Sequence, residues 1–290
     1  MHTLVNSVFK FLIKIFDKFF YNSNFKLIQR LRLIEKKVNI LYESNLDFDR
    51  NEFTTVLKLL TPPAHARNVI RMGSKNDGGY VLINKSFENS LLISMGIGLN
   101  LDFEEDWFKC GGKVVAYDGT IDMINSSTLS ESTNCFKWIK HNINSIDDKE
   151  SISISQGIDD AFEVFNIRGD NCVLKMDIEK SEWSALQEIS EENLSRFDQI
   201  IVEFHDIIKL TLIDYSKVNA VLLKLHKNFD LVWKHENNFS PYFMHGNKRF
   251  FDVVETTWHN KKSLKTSSFV TESKVIEALD SPNDPSYPSY

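Results

Sequence analysis

Two apolar runs constrain this chain more than any other feature: Leu91-Leu-Ile-Ser-Met-Gly-Ile-Gly-Leu-Asn100 and Val114-Val-Ala-Tyr-Asp118. The first breaks into Gly96-x-Gly98 ahead of a helical stretch, and the second ends in a carboxylate about 20 residues further on. Strand, glycine turn, helix and a second strand tipped with an acid together specify an open α/β sheet with a ligand crevice at its carboxyl edge. Glycine lets the backbone approach a ligand because no Cβ stands in the way. A carboxylate at the tip of the next strand can accept hydrogen bonds from both hydroxyls of a ribose. The ligand expected at this turn is therefore a nucleoside.

The same stretch argues against a dinucleotide. That fingerprint needs a third glycine, so that the first helix packs closely and offers its N-terminus to a pyrophosphate. Here Gly98 is followed by Leu99, Asn100, Leu101, Asp102, Phe103, Glu104, Glu105 and Asp106. Four acids in the first helical turns repel a pyrophosphate and tolerate a cation. S-adenosylmethionine, an adenosine carrying a sulfonium and no phosphate, fits this pattern; an NAD-dependent oxidoreductase is the weaker enzymatic alternative.

From residue 91 onward strand and helix patterns alternate, as in a parallel sheet with crossover helices. Strands are expected at 91–95, 113–118, 151–155, 172–177, 199–204, 230–234 and 249–257. Helices are expected near 102–110, 134–142, 158–165, 181–190 and 212–228. Upstream, Thr61-Pro62-Pro63 ends a helix running from Phe53 to Leu60. Asp77-Gly78-Gly79 then makes a turn before a short strand, either as a plain hairpin or as a loop closing over the ligand.

The strands end at Gly96, Asp118, Gln156-Gly157, Asp177 and Glu203-Phe-His205-Asp206, so residues distant in sequence converge on one cleft. In Val173-Leu-Lys-Met-Asp-Ile-Glu-Lys-Ser-Glu-Trp183, Asp177 sits at the strand tip and Glu179 two residues on. Both can bind hydroxyls, hold a metal or take up a proton, although Glu179 and Ser181 equally suit the cap of the following helix. His205 brings a side chain suited to general-base work near neutral pH. Asp177, Glu179, Glu203, His205 and Asp206 could also ligate Mg²⁺ or Mn²⁺. The same groups serve without an ion, so no required metal is expected.

Taken as a set, Arg71-x-Gly-x-x-Asn-Asp-Gly-Gly-Tyr-Val-Leu, Ser94-Met-Gly-Ile-Gly, Tyr117-Asp118-x-Thr-Ile, Lys175-Met-Asp-Ile-Glu-x-x-Glu-Trp, Val202-Glu-Phe-His, His235-Glu-Asn-Asn238 and Asp252-Val-Val-Glu-Thr-Thr257 resemble the FkbM-like S-adenosylmethionine-dependent methyltransferases. The resemblance spans about residues 68–260. It implies a class I methyltransferase (Rossmann-like) fold, a seven-stranded mostly parallel sheet with an antiparallel last strand, and methyl transfer to oxygen, often on a sugar. Asp77 and Gly78 would then belong to the cofactor site. Gly96 and Gly98 would pass under the methionine and ribose portion, Asp118 would hold the ribose hydroxyls, and Ile158 and Asp159 would flank the adenine. Asp177 and Glu179 would lie nearest the transferred methyl. His205, with His235 as second candidate, would accept the proton of the acceptor hydroxyl. The chain departs from the family pattern at Lys180-Ser181, where a small pair is usual, and in the long polar stretch 119–150.

Charge divides the chain. Residues 1–45 hold eight Lys/Arg against Asp17, Glu35 and Glu43, a balance of +5 that leaves −11 for the remainder of a net −6. An acidic body makes nucleic acid an unsuitable partner. Val8–Phe20 is basic, Phe-rich and too interrupted by charge to span a bilayer, and it lacks the cleavage site of a secretory signal. Residues 1–45 are expected to form a basic amphipathic helical extension making a peripheral membrane contact or a homodimer, or packing on their own domain. Residues 46–262 form the methyltransferase domain, and 263–290 a polar, disordered tail. Cys110, Cys135 and Cys172 match no zinc spacing and cannot all pair, as in a reducing cytoplasm. The expected function is O-methylation of a sugar or glycan precursor. A catalytically inactive methyltransferase-like module tethered through residues 1–45 is the alternative from another class.

Overall fold

A computed structural model describes residues 50–62, 65–66, 68–144, 151–167, 171–245, 248–263, 269–270 and 279–286. The expected extension 1–45 lies outside the described residues. Helix α1 (Arg50–Leu59) stops at the predicted Thr61-Pro62 break and buries Phe53 and Val56. Strands β1 (Val69–Gly73) and β2 (Gly79–Ile83) pair antiparallel around the Asp77-Gly78 turn. The main sheet then begins with β3 (Leu91–Met95), followed by α2 (Asp102–Lys109), β4 (Lys113–Tyr117) and β5 (Phe136–Ile139). Next come α3 (Ile154–Val164), β6 (Val173–Met176), α4 (Glu182–Glu188) and β7 (Gln199–Phe204). The chain closes with α5 (Ile207–Ile213), α6 (Tyr215–Asn228), β8 (Phe229–Glu236), the hairpin β9 (Tyr242–His245) and β10 (Lys248–Phe251), and β11 (Val254–Asn260).

Seven strands form one sheet in the order β8-β11-β7-β6-β3-β4-β5. All described pairings in it are parallel except those of β11, which runs antiparallel to both β7 and β8. The chain moves outward from β3 to β5 and returns to lay β6 against the other side of β3. That reversal is the topological switch point, where open α/β sheets bind ligands beyond their carboxyl ends.

Alternate residues of each strand face opposite layers. Leu91, Ile93, Met95, Leu174 and Met176 point into a core shared with α1, α3, α4, α5 and α6. Leu92, Val114, Ala116 and Val173 face a second core closed by Phe103 and Trp107 of α2 and by Met72, Tyr80 and Leu82 of the hairpin.

Two expectations fail together. Residues 134–142 were expected to be a helix and 151–155 the third sheet strand, but β5 at Phe136–Ile139 takes the edge position. Ser-Ile-Ser-Ile-Ser alternates as a strand should, yet only Ser151–Ile152 pairs, with Asn142–Ile143. The Ser153 hydroxyl accepts the Gln156 N–H and caps α3, whose Ile154, Ile158 and Ala161 then face the core at helical spacing. The run expected at 249–257 is also split. Its first part pairs in a separate hairpin, and Asp252 marks the break, accepting the N–H of Ile207 and, through its side chain, that of Ile208.

The tips of β3 and β6 lie side by side, with the Asp177 N–H donating to the Met95 carbonyl. Gly96 has φ +76°, and a Cβ there would collide with the Asp177 carbonyl oxygen. Gly98 has φ +53° and only open space beside it. Gly96→Ala is therefore expected to cost about 3 kcal/mol or more, because backbone must move. Gly98→Ala is expected to cost about 1–2 kcal/mol, the left-handed penalty alone. Urea denaturation of the two variants against the parent checks this ranking.

Candidate active site

The carboxyl edge of the sheet opens into a cleft of about 510 Å³, within the usual range for ligand sites. Asp77, Gly78, Gly96, Gly98, Asp118, Asp177 and Glu179, all predicted from sequence, line it. Ile158 and Asp159 do not. Ile158 is fully buried in the core, and Asp159 pairs with Arg196 at 2.6 Å. Both lie inside α3 rather than after a strand, and Asn142, Ile143 and Asn144, which follow β5, line the cleft instead. His205 and His235 are buried beside the cleft and do not line it.

Asp118 fixes the glycine turn. Its Oδ2 accepts the N–H groups of Ile97 (3.1 Å) and Gly98 (2.8 Å), and its Oδ1 accepts the backbone N–H and hydroxyl of Thr120. Burial works against ionisation, but these four donors outweigh it and hold the carboxyl below its usual range. The acids of α2 are partnered one by one rather than forming a bare negative face. Ser74 donates to Asp102, the Gly73 N–H to Asp106, Ser126 to Glu105 and Ser94 to Glu104.

Glu179 and Lys180 adopt φ of +51° and +88°, the left-handed region. The family resemblance expects small residues directly after Glu179, and the backbone shows why: Lys180 occupies a conformation natural to glycine. Ser181 does not cap α4 with its side chain. Glu182, fully buried, instead pins the loop before the helix by accepting the N–H groups of Ile178 (2.9 Å) and Lys180 (3.1 Å). Glu179, its side chain 82% exposed, lines the cleft and lies 3.8 Å from His205 Nε2.

Beyond Asp177 lies an acidic well that sequence reading only partly anticipated. The Tyr80 hydroxyl donates to Asp177 Oδ2 at 3.0 Å and lies 3.5 Å from Glu203 Oε2. Asn237 donates to the other Glu203 oxygen, and Asn283 donates to Glu255 at 2.6 Å. Burial, then the neighbouring charges of Asp177 and Glu255, pushes Glu203 well above the usual carboxyl range. Burial likewise raises Glu255, and burial together with Asp177 and Glu203 raises the Tyr80 hydroxyl. Among the described residues, Asp177, Glu203 and His205, and likewise Asp77, Glu203 and Glu255, bring three ligand atoms within 4.8 Å of one another, close enough to share an ion.

The expectation of a disordered tail is corrected for residues 279–286, which are ordered against this well. Asn283 bonds Glu255, His235 Nε2 and Asp77. Asp280 meets His235 Nδ1 at 2.5 Å, and Asn238 exchanges two hydrogen bonds with Asp284. Arg71 clips the Leu279 carbonyl to the hairpin turn through Ser74 and Asn76. Polar, proline-rich composition signals a lack of core, but buried acids and a histidine supply the partners that order such a segment.

Both histidines carry charge at neutral pH. Burial would lower His205, but its hydrogen bond to Glu182 (3.2 Å) and the charges of Glu182, Asp177 and Glu179 outweigh this and raise it to about 9. His235 is raised to about 9 in the same way, the Asp280 hydrogen bond and the Glu255 charge outweighing burial. An imidazolium has no lone pair to accept a proton, so neither ring is a base at neutral pH in this arrangement.

No protein-family model and no curated protein matches this chain. Among solved structures it is similar to a fibrillarin in complex with Nop5p (11% identity, 62% of this chain, 75% of that one, TM-score 0.35). It is also similar to the Methanococcus jannaschii fibrillarin pre-rRNA processing protein (11% identity, 61% and 68%, TM-score 0.34). A third is the methyltransferase FkbM from Methylobacillus flagellatus KT (15% identity, 60% and 45%, TM-score 0.36). The strand order and the one antiparallel strand define the fold as that of class I methyltransferases. Among the described residues no helix is long and apolar enough to cross a membrane, and the three cysteines are free thiols.

A histidine raised from 6.5 to about 9 on folding contributes stability that is complete below about pH 6.5 and lost as pH rises through 9. Each imidazolium is expected to supply about 1–3 kcal/mol at pH 6.5. Urea midpoints should therefore fall between pH 6.5 and 9, and His205→Gln should flatten that slope. His235, also raised to about 9, keeps a residual slope in the variant.

Proposed function

We propose that this chain is an S-adenosylmethionine-dependent O-methyltransferase acting on a polyhydroxylated acceptor, a sugar or glycan precursor. The observation that carries the reading is the charge of the cleft. Asp77, Glu104, Asp118, Asp177 and Glu179 line it against Lys175 as the one Lys or Arg among its described residues. Five carboxylates suit a sulfonium cation and oppose a pyrophosphate, which disfavours NAD. The open space beside Gly98 and the carboxylate of Asp118 at the same turn fit a nucleoside. An ionised carboxylate has about four acceptor positions, and the Thr120 hydroxyl can rotate away to free one for a ribose hydroxyl.

When bound, S-adenosylmethionine supplies an electrophilic methyl whose bonding pair leaves with sulfur as the acceptor oxygen attacks. The protein's part is to orient the acceptor in line with that methyl and to receive its proton. Asp177 lines the cleft and is assigned the proton. His205 and His235, protonated, offset the negative charge around it and act as positioning groups. Behind it, Asn237 bonds Glu203 and Asn283 bonds Glu255, forming the polar wall against which Asp177 sits. The family resemblance supports oxygen over nitrogen as the acceptor atom. The basic extension 1–45 is assigned the contact to a membrane or to a second copy, from its sequence alone.

Isothermal titration is expected to show S-adenosylmethionine binding to the full chain, weakened at least about tenfold by Asp118→Ala, and no binding of NAD. Absence of both would favour the noncatalytic module. With an accepted sugar, Asp177→Asn should lower kcat by about 10²–10⁴-fold while cofactor affinity changes little. Initial rates that climb between pH 7 and 9 would assign the base to His205 instead, whose proton is held up to about pH 9.

A further inference from the structure

The β1–β2 hairpin lies against the sheet and delivers one phenol into the acidic well. The Gln199 side chain fastens the two together, accepting the Ile83 N–H (2.7 Å) and donating to the Ile83 carbonyl (3.1 Å). Gln199 opens β7, so the strand bearing Tyr80 is tied directly to the strand bearing Glu203. The Tyr80 ring is 2% exposed, meets Phe103 edge-on at 5.4 Å, and has Lys175 Nζ 5.4 Å from its centroid. Its hydroxyl is thereby held between two carboxyl groups, 3.0 Å from Asp177 Oδ2 and 3.5 Å from Glu203 Oε2. Among the described residues, the charged groups that act on Tyr80 are Asp77, Asp177, Glu203, Glu255 and Lys175.

A phenol has one proton to donate, and the shorter contact takes it. A phenol lone pair then faces Glu203 Oε2, and the two oxygens repel unless Glu203 carries a proton of its own. Asn237 already donates to the other Glu203 oxygen, so Oε2 is where that proton belongs. Burial, with the charges of Asp177 and Glu255, acts in the same direction and raises Glu203 well above the usual carboxyl range. Burial and the neighbouring Asp177 likewise keep the Tyr80 hydroxyl protonated. The hydrogen bonds therefore run one way, from Glu203 through Tyr80 to Asp177. Of the two acids only Asp177 lines the cleft, so the negative charge is directed to the carboxylate that a ligand can reach.

We propose that Tyr80 is a positioning residue that polarises this acid pair. It accepts a hydrogen bond from Glu203 and donates one to Asp177, keeping the cleft carboxylate ionised and the buried one neutral. This rests on the reading of Asp177 as the proton acceptor in methyl transfer. Phenylalanine would fill the same space and leave the charge undirected, which makes the hydroxyl the group to test.

The test is a carbon-13 NMR titration of the side-chain carboxyls of the full chain, without ligand, over the range in which both acids titrate. Asp177→Asn and Glu203→Gln assign the two signals. At neutral pH the parent is expected to show Glu203 protonated and Asp177 ionised. Tyr80→Phe should raise the midpoint of Asp177 by at least about one pH unit, the equivalent of one hydrogen bond to a charged group. Glu203→Gln still offers an N–H to Tyr80 and should leave that midpoint within about half a pH unit of the parent. A fall of about one pH unit or more in Glu203→Gln would show that Glu203 is charged in the parent, and would overturn the proposal. An unmoved Asp177 midpoint in Tyr80→Phe would overturn it equally. With an accepted sugar, the acidic limb of the pH–rate profile should move with that midpoint. Failure of S-adenosylmethionine to bind the parent would overturn the methyltransferase reading and leave the charge pattern as titrated. Should Tyr80→Phe fail to fold, the parent signals and Glu203→Gln decide the question.

Discussion

The structure depends on how closely the tips of β3 and β6 approach each other. The chain leaves the switch point in opposite directions from these two strands, and the crevice exists because Gly96 carries no side chain to hold Asp177 away. That single contact places the glycine turn against the strand that delivers Asp177. Asp118, reaching across from β4, then fastens the turn through the N–H groups of Ile97 and Gly98. The glycine-turn half of the cleft is thus built from backbone held by a carboxylate.

The half beyond Asp177 is built differently, from buried charge. Glu203 and Glu255 are buried, and the charges of Asp177 and Glu255 add to the cost of ionising Glu203. Two imidazolium rings, the Tyr80 hydroxyl and the amides of Asn237 and Asn283 share that cost. The C-terminal segment belongs to the same balance, since Asp280 and Asn283 occupy both nitrogens of His235. The proton on His205 is therefore part of the same charge balance, held by Glu182, Asp177 and Glu179.

Much of the glycine-turn half was legible in the sequence. Gly96, Gly98, Asp118 and Asp177 each sit where a strand pattern ends, and the sheet edge must bring such positions together. Ile158 and Asp159 were misplaced because Ser-Ile-Ser-Ile-Ser satisfies both a strand alternation and, from Ser153, a helix cap, and tertiary packing chose the cap. Glu104 looked like one of four equivalent acids on an exposed helical turn. Only the packing of Phe103 and Trp107 onto the sheet turns it inward over Ser94 and Lys175. The tail looked disordered because it has too few apolar residues for a core, and sequence gives no account of the buried acids waiting for its amides.

What the sequence determined by itself is the centre of the sheet: continuous apolar runs, their glycine and acidic tips, and the crevice these must line. Those signals are local, and local signals survive in a linear string. The tertiary structure alone decided the charge states and the partners. A histidine's proton and a carboxylate's ionisation depend on which groups lie within a few ångströms and how much water remains, and those distances arise only when segments as remote as Tyr80, Glu203 and Asn283 are folded against one another.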